Sequence, residues 1–208
     1  MEKKNANDSN DKSILEYDYC LKLLLVGDSC VGKSNFILRL IKNKFSPSHV
    51  STSGMELKTT KIIIDKTKIR VQLWDTAGQE KYRSVTKSLF NKVQGVLAIY
   101  DITSEDSFKN LKQWIKMVKE ECSNMQLLMI GNKNDLENER IIRFEEADEY
   151  AKSQKMDYIE TSSKTGDNIN KAVETICKKI IENNAIRSDY SFSLDCKKTK
   201  KVKRKCCE

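Results

Sequence analysis

The chain lacks the sequence features that mark membrane-spanning, disulfide-stabilised and histidine-ligated metal proteins. Its longest apolar runs, such as 23–26 and 96–100, are far shorter than the roughly 20 residues that a membrane-spanning helix needs. Its seven cysteines form an odd set without a Cys-x-x-Cys pair and follow no apolar leader segment, which argues against a disulfide framework. The single histidine, His49, lies close to the only proline, Pro47, and we interpret it as a loop residue rather than a metal ligand or base. We therefore expect one soluble globular domain in a reducing compartment.

Positive charge is concentrated at the C-terminal end of the chain, whose net charge is +8. Residues 187–208 carry eight basic and three acidic side chains, whereas residues 1–18 carry three basic and five acidic ones. The basic run 197–205 has no interleaved aromatic residues, which favours an anionic membrane surface over nucleic acid as its partner. A solvated tail or a nuclear-import patch is the alternative.

The segment between these ends has the composition and the pattern of a single α/β domain. Residues 1–18 are polar and predicted to be a disordered arm, residues 19–184 form the domain, and residues 185–208 form a flexible basic tail. We predict strands at about 20–26, 55–64, 68–74, 95–100, 126–130 and 157–160, and helices at about 32–41, 107–119, 143–155 and 168–183. Alternating strands and helices predict a mostly parallel six-stranded sheet with one antiparallel edge hairpin and helices on both faces.

The most specific motif is the stretch 27–34, Gly-Asp-Ser-Cys-Val-Gly-Lys-Ser, between the first strand and the first helix. Its spacing, G-x-x-x-x-G-K-[ST], is typical of a loop whose backbone N–H groups surround the phosphates of a nucleotide. Lys33 would neutralise phosphate charge, and the Ser34 hydroxyl would bind Mg²⁺. The alternative, a solvated glycine turn, fits the flanking strand and helix poorly.

A second motif, Asp75-Thr76-Ala77-Gly78-Gln79, follows the strand that ends at Trp74. At a strand terminus, Asp75 can hold the Mg²⁺ shell and Gly78 can bring its N–H close to a phosphate. Gln79 can orient a water molecule, because an amide donates and accepts hydrogen bonds at once.

Two further motifs indicate guanine as the base. In Asn132-Lys133-Asn134-Asp135, the Asp135 carboxylate can accept two hydrogen bonds from guanine, a pair of donors that adenine lacks. Lys133 would pack along the base and Asn132 would brace the loops. In isolation this motif suits a polar turn equally well, so its specificity depends on the other motifs. Ser162-Ser163-Lys164 can donate a backbone N–H to the guanine carbonyl and place Lys164 across the ring.

These four elements, in this order, resemble the small GTPases of the Ras superfamily, and several details resemble the Rab branch. The match covers about residues 19–184 and includes 74–84, 100–103, 131–136 and the terminal cysteine pair. The resemblance implies a P-loop small G domain that binds GTP or GDP with Mg²⁺. It also implies that Thr52 contacts Mg²⁺ and the γ-phosphate, and that Phe45 forms an aromatic wall beside the guanine.

The resemblance gives a set of expected site residues. The nucleotide would contact Asp28, Ser29, Cys30, Val31, Gly32, Lys33, Ser34, Asn35, Phe45, Thr52, Gly78, Asn132, Lys133, Asp135, Leu136, Ser162, Ser163 and Lys164. The metal ligands would be Ser34, Thr52 and Asp75, and hydrolysis would depend on Gln79, Lys33 and Thr52.

The C-terminal residues Cys206 and Cys207 resemble the doubly prenylated end of Rab proteins, because Lys205 rules out a C-a-a-X box. Two prenyl chains beside a basic run would give stable attachment to a cytoplasmic membrane surface. The resemblance implies a monomer on the cytosolic face of an intracellular membrane, with a cytosolic pool, acting in vesicle trafficking. Its partners would be an exchange factor, a GTPase-activating protein, an escort protein or GDP-dissociation inhibitor, and effectors. Unmodified or palmitoylated cysteines are the alternative.

Several residues depart from the family pattern. Cys30 stands where a small residue is usual, and its thiol predicts altered hydrolysis or sensitivity to oxidation. His49, Ser53 and Leu57 stand where Rab proteins usually carry Tyr, Ile and Phe. A GTP-bound recruitment protein with little hydrolysis, and a P-loop kinase or ATPase, are therefore alternatives to a regulated GTPase in vesicle traffic.

Overall fold

The computed structural model describes residues 17–47, 54–76, 92–121 and 125–187. In chain order its elements are β1 (Tyr19–Val26), α1 (Lys33–Lys42), β2 (Met55–Ile64), β3 (Thr67–Thr76), β4 (Gly95–Asp101), α2 (Glu105–Glu121), β5 (Gln126–Asn132), a 3₁₀ helix (Asn134–Glu139), α3 (Phe144–Ser153), β6 (Asp157–Thr161) and α4 (Ile169–Arg187). No helix in these ranges is long and apolar enough to cross a membrane.

The strands form one six-stranded sheet with the order β2-β3-β1-β4-β5-β6. The pair β2–β3 is antiparallel and lies at one edge, whereas every other pair is parallel. Parallel neighbours need crossover connections, and helices supply them. The predicted fold class is therefore confirmed.

Two apolar layers enclose the sheet, one on each face. Leu23 and Leu25 of β1 point to the layer that contains α1 and α4, while Leu24 and Val26 point to the layer that contains α2 and α3. This alternation follows from the two-residue period of a strand. The central strand β4 is buried along its whole length, as expected for a parallel strand covered on both faces.

The predicted element bounds differ from the structure at several ends. β3 continues two residues beyond the predicted end at Trp74, because Asp75 and Thr76 still pair with Glu56 and Met55 of the antiparallel partner. The β2–β3 turn contains two residues, Asp65 and Lys66, rather than three, and both have positive φ, as a tight hairpin requires. The 3₁₀ helix was not predicted, and α4 extends to Arg187, beyond the predicted domain end at 184.

The parallel topology brings the predicted motifs together at the carboxyl ends of the strands. The carboxyl ends of β1, β4, β5 and β6 lie side by side, and β3 ends next to β1. In open α/β sheets, ligands bind at the carboxyl ends of the strands. The loops that leave these strand ends therefore form the candidate site.

Candidate functional site

The loop of residues 27–32 between β1 and α1, termed the glycine loop, is packed too tightly for side chains at its two glycines. Gly27 has φ 140°, and a Cβ there would lie 2.0 Å from the backbone oxygen of Ile99. Gly32 has φ 98°, and a Cβ there would lie 2.3 Å from the Asn132 side-chain nitrogen. Cys30 is exposed and also has positive φ, at 65°. Both glycines of the motif are therefore required by local geometry.

Lys33, the first residue of α1, directs its ammonium group back into the glycine loop. Its Nζ donates to the backbone oxygen of Gly27 at 2.8 Å and to that of Asp28 at 2.7 Å. The side chain is buried, and this burial lowers the pKa of Lys33 to about 8, although the charges of Asp75, Asp28 and Cys30 act in the opposite direction. One of the three N–H donors of the ammonium group remains for an anion.

Ser34 and Asp75 form a polar pair at the mouth of the glycine loop. The Ser34 hydroxyl donates to Asp75 Oδ2 at 2.6 Å, whereas Asp75 Oδ1 is buried and has no hydrogen-bond partner. Burial raises the pKa of Asp75, and the Ser34 hydrogen bond and the Lys33 charge oppose that shift. A buried carboxylate oxygen without a partner beside a hydroxyl fits a hard divalent cation.

Asn132, the last residue of β5, connects the glycine loop to the loop after β6. Its Nδ2 donates to the Val31 oxygen at 2.8 Å. Its Oδ1 accepts hydrogen bonds from the Thr161 hydroxyl at 3.1 Å and from both the backbone nitrogen and the hydroxyl of Ser163 at 3.2 Å. The buried amide therefore connects the glycine loop, the end of β6 and the loop after β6.

The predicted base-binding residues lie together between the ends of β5 and β6. Asp135 accepts a 2.5 Å hydrogen bond from the Ser162 hydroxyl and lies 3.7 Å from Lys164 Nζ. Lys133, with φ 69°, places its ammonium group 2.5 Å from Asp101 Oδ2 at the end of β4. Leu136 follows in the 3₁₀ helix. A carboxylate flanked by a hydroxyl and an ammonium group is available to accept hydrogen bonds from a base.

Three other predicted contact residues are placed differently from one another. The Asp28 carboxylate faces α2, where it accepts from Asn110 Nδ2 at 2.7 Å and from Trp114 Nε1 at 3.3 Å, so only its backbone faces the loop interior. The Asn35 amide exchanges two 3.0 Å hydrogen bonds with the backbone of Ser46. Phe45, which directly precedes Ser46 in the chain, is 38% exposed. Asn35 thus fixes the segment that carries Phe45.

Arg39 of α1 is a site residue that the sequence did not indicate. Its Nε donates to the Ser163 oxygen at 2.9 Å, and its Nη2 donates to the Lys164 oxygen. Its Nη1 donates to the backbone oxygen and the side-chain oxygen of Asn43, at 3.1 and 3.2 Å. The guanidinium therefore joins the end of α1 to the loop after β6. No local pattern could reveal these partners, because Ser163 and Lys164 are more than 120 positions away in the sequence.

Arg140 and Glu160 form a second unpredicted connection, termed the clamp. The two side chains make parallel hydrogen bonds of 2.7 Å, and Arg140 also binds Glu137 of the 3₁₀ helix. Tyr158 donates to Glu160 at 2.7 Å and contacts the Tyr100 hydroxyl at 2.6 Å. The clamp thus holds the 3₁₀ helix, which carries Asp135, against β6.

The remaining predicted residues lie outside the described ranges: Thr52, Gly78 and Gln79 of the site, and Cys206 and Cys207 of the tail. Among the described residues, no group of three His, Cys, Asp or Glu side chains could hold a metal ion by itself. A cation at Ser34 and Asp75 would therefore need oxygen ligands from a phosphate and from water, as is usual for Mg²⁺.

Comparison with known proteins agrees with this geometry. The Ras family model matches residues 22–182 of the chain. Ras-related protein SEC4 of Saccharomyces cerevisiae is 40% identical over 179 residues, which cover 86% of this chain and 81% of that protein. GTP-binding protein ypt3 of Schizosaccharomyces pombe is 42% identical over 166 residues, which cover 79% of this chain and 78% of that protein. Ras-related protein Rab-1D of Dictyostelium discoideum is 39% identical over 166 residues, or 79% of this chain and 81% of that protein. The chain therefore belongs to the Ras family and is a small GTPase of the Rab type.

Proposed function

We propose that the protein is a membrane-attached switch that binds GTP with Mg²⁺, hydrolyses it slowly to GDP and recruits effectors in vesicle traffic. The observation that carries this proposal is the arrangement at the glycine loop. A buried lysine with one remaining donor lies beside a hydroxyl and a carboxylate oxygen that has no partner. Together these groups match the charge and the geometry of a phosphate chain with its cation.

Phosphate binding would depend on Lys33 and on the backbone N–H groups at the start of α1. The φ values at Cys30 and Gly32 turn the glycine loop so that the chain enters α1 directly after it. Helix N-termini present unsatisfied N–H groups and a partial positive charge, which favour anions. Lys33 would add a full positive charge at the same place, and developing charge on the γ-phosphate oxygens would be stabilised by both.

Ser34 and Asp75 would hold Mg²⁺, together with Thr52, which precedes β2 in the sequence. When bound, Mg²⁺ neutralises charge on the phosphate oxygens. The buried Asp75 Oδ1 supports this assignment, because an orphaned carboxylate oxygen is costly unless a partner occupies it. The hydrogen bond from the Ser34 hydroxyl keeps the carboxylate oriented toward the mouth of the loop.

Guanine would be recognised by Asp135, with Lys133 and Lys164 packing against the ring. Asp135 is fixed by the Ser162 hydroxyl, and Lys133 is fixed by Asp101. The relative named GTP-binding protein ypt3 supports the same base. An aspartate selects guanine because the guanine N1 and N2 groups are both donors.

Hydrolysis would use a water molecule oriented by the Gln79 amide and the Thr52 carbonyl. The described residues place no arginine at the mouth of the glycine loop, and the charge of the transition state would be stabilised by Lys33, by backbone N–H groups and by the bound Mg²⁺. A partner that supplies an arginine raises the rate by about 10³ to 10⁵ in related chemistry. We therefore propose slow intrinsic turnover that an activating protein completes.

Membrane attachment would come from prenyl groups on Cys206 and Cys207 and from the basic run before them. The membrane-bound and cytosolic pools would exchange through an escort protein or a GDP-dissociation inhibitor. An exchange factor and effectors would bind the domain, which would act as a monomer. Kinship with SEC4, ypt3 and Rab-1D supports this assignment.

Base selectivity tests the proposed function directly. In Asp135→Asn the carboxylate becomes an amide, which can accept from N1 of the base but no longer from N2. We expect GTP affinity to fall on the order of 100-fold, because a hydrogen bond to a charged group is lost and a donor now faces a donor. We also expect xanthosine triphosphate, which carries an oxygen at that position, to bind the variant better than GTP does.

The matched control is Asp167→Asn, which neutralises an exposed carboxylate in the loop after β6. Titration of fluorescent GTP, ATP and xanthosine triphosphate analogues in the presence of Mg²⁺ gives the three affinities. If the native protein binds ATP as tightly as GTP, or if Asp167→Asn changes selectivity as much as Asp135→Asn, the proposed function is wrong.

A further inference from the structure

A groove of about 410 Å³ lies between α2 and α3, on the face of the sheet opposite α1 and α4. Its volume lies within the range of sites that bind small molecules. The lining residues are Lys112, Lys116, Lys119 and Glu120 of α2, with Tyr150 of α3 and Gln154, which follows it. The three lysines are spaced by four and three positions, so they share one face of α2.

The lysines are held in the groove by contacts that leave their charge available. Lys112 Nζ lies 4.4 Å from the ring centre of Phe108 and 5.0 Å from that of Tyr150. Lys119 Nζ donates to the backbone oxygen and to the side-chain oxygen of Gln154, both at 2.8 Å, which leaves one N–H donor. Aromatic rings and neutral oxygens position an ammonium group without cancelling its charge.

The groove carries excess positive charge. Among the described residues, Glu120 is the only carboxylate in the lining. It lies 3.9 Å from Lys116 in a pair whose side chains are 63% and 78% exposed, so this pair is weak. In the described part of the chain, neither Lys112 nor Lys119 forms an ion pair with a carboxylate. Burial lowers the pKa of Lys119, and the charge of Lys155 acts in the same direction. A bound anion would act in the opposite direction, because a nearby negative charge favours the protonated lysine.

The charge of the groove matches a phosphomonoester. Three ammonium groups and one carboxylate leave a surplus of two positive charges. A phosphomonoester carries roughly −1.5 to −2 at pH 7, whereas a phosphodiester carries a single negative charge. The Tyr150 hydroxyl and the Gln154 amide would supply neutral hydrogen-bonding groups at the groove wall.

The groove lies at the end of the domain from which the tail departs. Gln154 is three residues before Asp157, where β6 begins. This side of the groove therefore lies near the amino ends of the strands, opposite the nucleotide site. Lys179 of α4 contacts Asp157 at 2.5 Å, and α4 then continues for eight residues to Arg187, which is about 12 Å. The 19 residues from Arg187 to Cys206 span at most about 65 Å when fully extended. An anchored tail of this length therefore allows this end of the domain to reach the membrane surface.

We propose that this lysine groove binds the phosphomonoester headgroup of an anionic lipid in the membrane to which the tail is attached. The inference rests on the proposed membrane attachment and adds a second contact, made by the folded domain itself. Such a contact would orient the domain with its nucleotide site directed away from the bilayer, toward soluble partners.

Vesicle binding of the full-length chain, purified without lipid modification and loaded with GDP, tests the proposal. One set of phosphatidylcholine vesicles contains phosphatidylinositol 4-phosphate, and the other contains phosphatidylserine at equal total negative charge. Every variant keeps the basic tail, so binding to the phosphatidylserine vesicles reports the tail together with non-specific attraction between lysines and negative charge. We expect the double variant Lys112→Gln/Lys119→Gln to bind the phosphoinositide vesicles about 25-fold more weakly than the native chain, since each lysine near an anionic surface contributes about fivefold.

Two further variants keep the result interpretable. Lys116→Glu reverses an exposed charge in the groove, so the fold is preserved, and we expect it to lose the phosphoinositide preference as well. Lys61→Gln/Lys171→Gln removes two exposed lysines outside the groove and should bind like the native chain. Equal losses in the groove and control variants, or no preference of the native chain for phosphoinositide vesicles, would overturn the proposal.

A soluble probe distinguishes the source of the phosphate. If inositol 1,4-bisphosphate binds the groove in calorimetry but the vesicles do not, the ligand is a soluble phosphate and the lipid proposal is wrong. If only an acidic peptide binds, the partner is a protein and the proposal is equally wrong. GDP loading of each variant and fractionation of a Cys206→Ser/Cys207→Ser variant in cells report separately on the nucleotide site and on the tail.

Discussion

At the scale of single residues, the main electrostatic feature is the ammonium group of Lys33. It is buried, and burial disfavours its charged form. The contacts with the Gly27 and Asp28 oxygens hold the ammonium group, and burial lowers its pKa to about 8. Bound phosphate would raise that pKa again, because a nearby negative charge favours the protonated form. Nucleotide binding and protonation of Lys33 are therefore linked.

The first prediction concerns this linkage. Nucleotide affinity is highest below the pKa of Lys33 in the free protein, which is about 8. It falls as the pH rises above this value, because binding must then add a proton to Lys33. Above the pKa of Lys33 in the free protein we expect Lys33 to take up a proton when GDP binds. Calorimetry in buffers of different ionisation enthalpy measures this uptake, and Lys33→Arg should abolish it because arginine does not titrate. A binding enthalpy that is independent of the buffer would contradict the assignment.

The second prediction concerns Arg39, whose guanidinium binds Ser163 and Lys164 on one side and Asn43 on the other. Arg39→Gln should accelerate GDP release about tenfold, because the loop beside the base loses charged hydrogen bonds. Arg39→Lys should not restore the native rate, since an ammonium group cannot replace the planar fork. Release is followed with a fluorescent GDP analogue, with Arg70→Gln, an exposed arginine of β3, as the control. A release rate unchanged by both Arg39 substitutions would exclude this role.

At the scale of elements, the clamp decides how firmly the 3₁₀ helix is held against β6. The Arg140 and Glu160 side chains are only 14% and 12% exposed, so each depends on the other for compensation of its charge. The 3₁₀ helix contains Asp135, and β6 leads directly into Ser162. Loosening the clamp should therefore affect stability and base binding together.

The third prediction follows from the clamp. Arg140→Gln should lower the free energy of unfolding by about 2 to 3 kcal/mol, because it leaves a nearly buried carboxylate without its partner. GDP release should become faster in the same variant. The control is Lys152→Gln, which breaks an exposed pair with Asp148 and should cost less than about 0.5 kcal/mol. Denaturant unfolding measures both variants, and similar losses in the two would show that the clamp has no special role.

The elements also show which features a sequence can predict. Apolar runs such as 96–100 identified the buried strands, and the glycine, lysine and carboxylate spacings identified the loops at their ends. The end of β3 was missed because pairing with β2 keeps Asp75 and Thr76 in the strand despite their polarity. The partners of Arg39 and Arg140 were missed because hydrogen bonds between distant segments leave no local pattern.

At the scale of the whole molecule, the parallel sheet separates the two proposed sites. The residues of the proposed nucleotide site follow the carboxyl ends of the strands, while Gln154 of the lysine groove and the end of α4 lie toward the amino ends. A ligand that binds only the folded state stabilises the entire domain by mass action. The increase in unfolding stability on adding nucleotide therefore measures nucleotide binding. The rate of GTP hydrolysis measures the catalytic step.

The fourth prediction, single-turnover hydrolysis of preloaded GTP, tests the central claim most directly. The native protein and Gln79→Leu are compared at saturating Mg²⁺, and GDP is measured by chromatography. Leucine cannot orient a water molecule, so we predict slow hydrolysis in the native protein and a rate about tenfold or more lower in the variant. Tight GTP binding without hydrolysis in either protein, or equal rates in both, would contradict a Gln79-dependent GTPase switch.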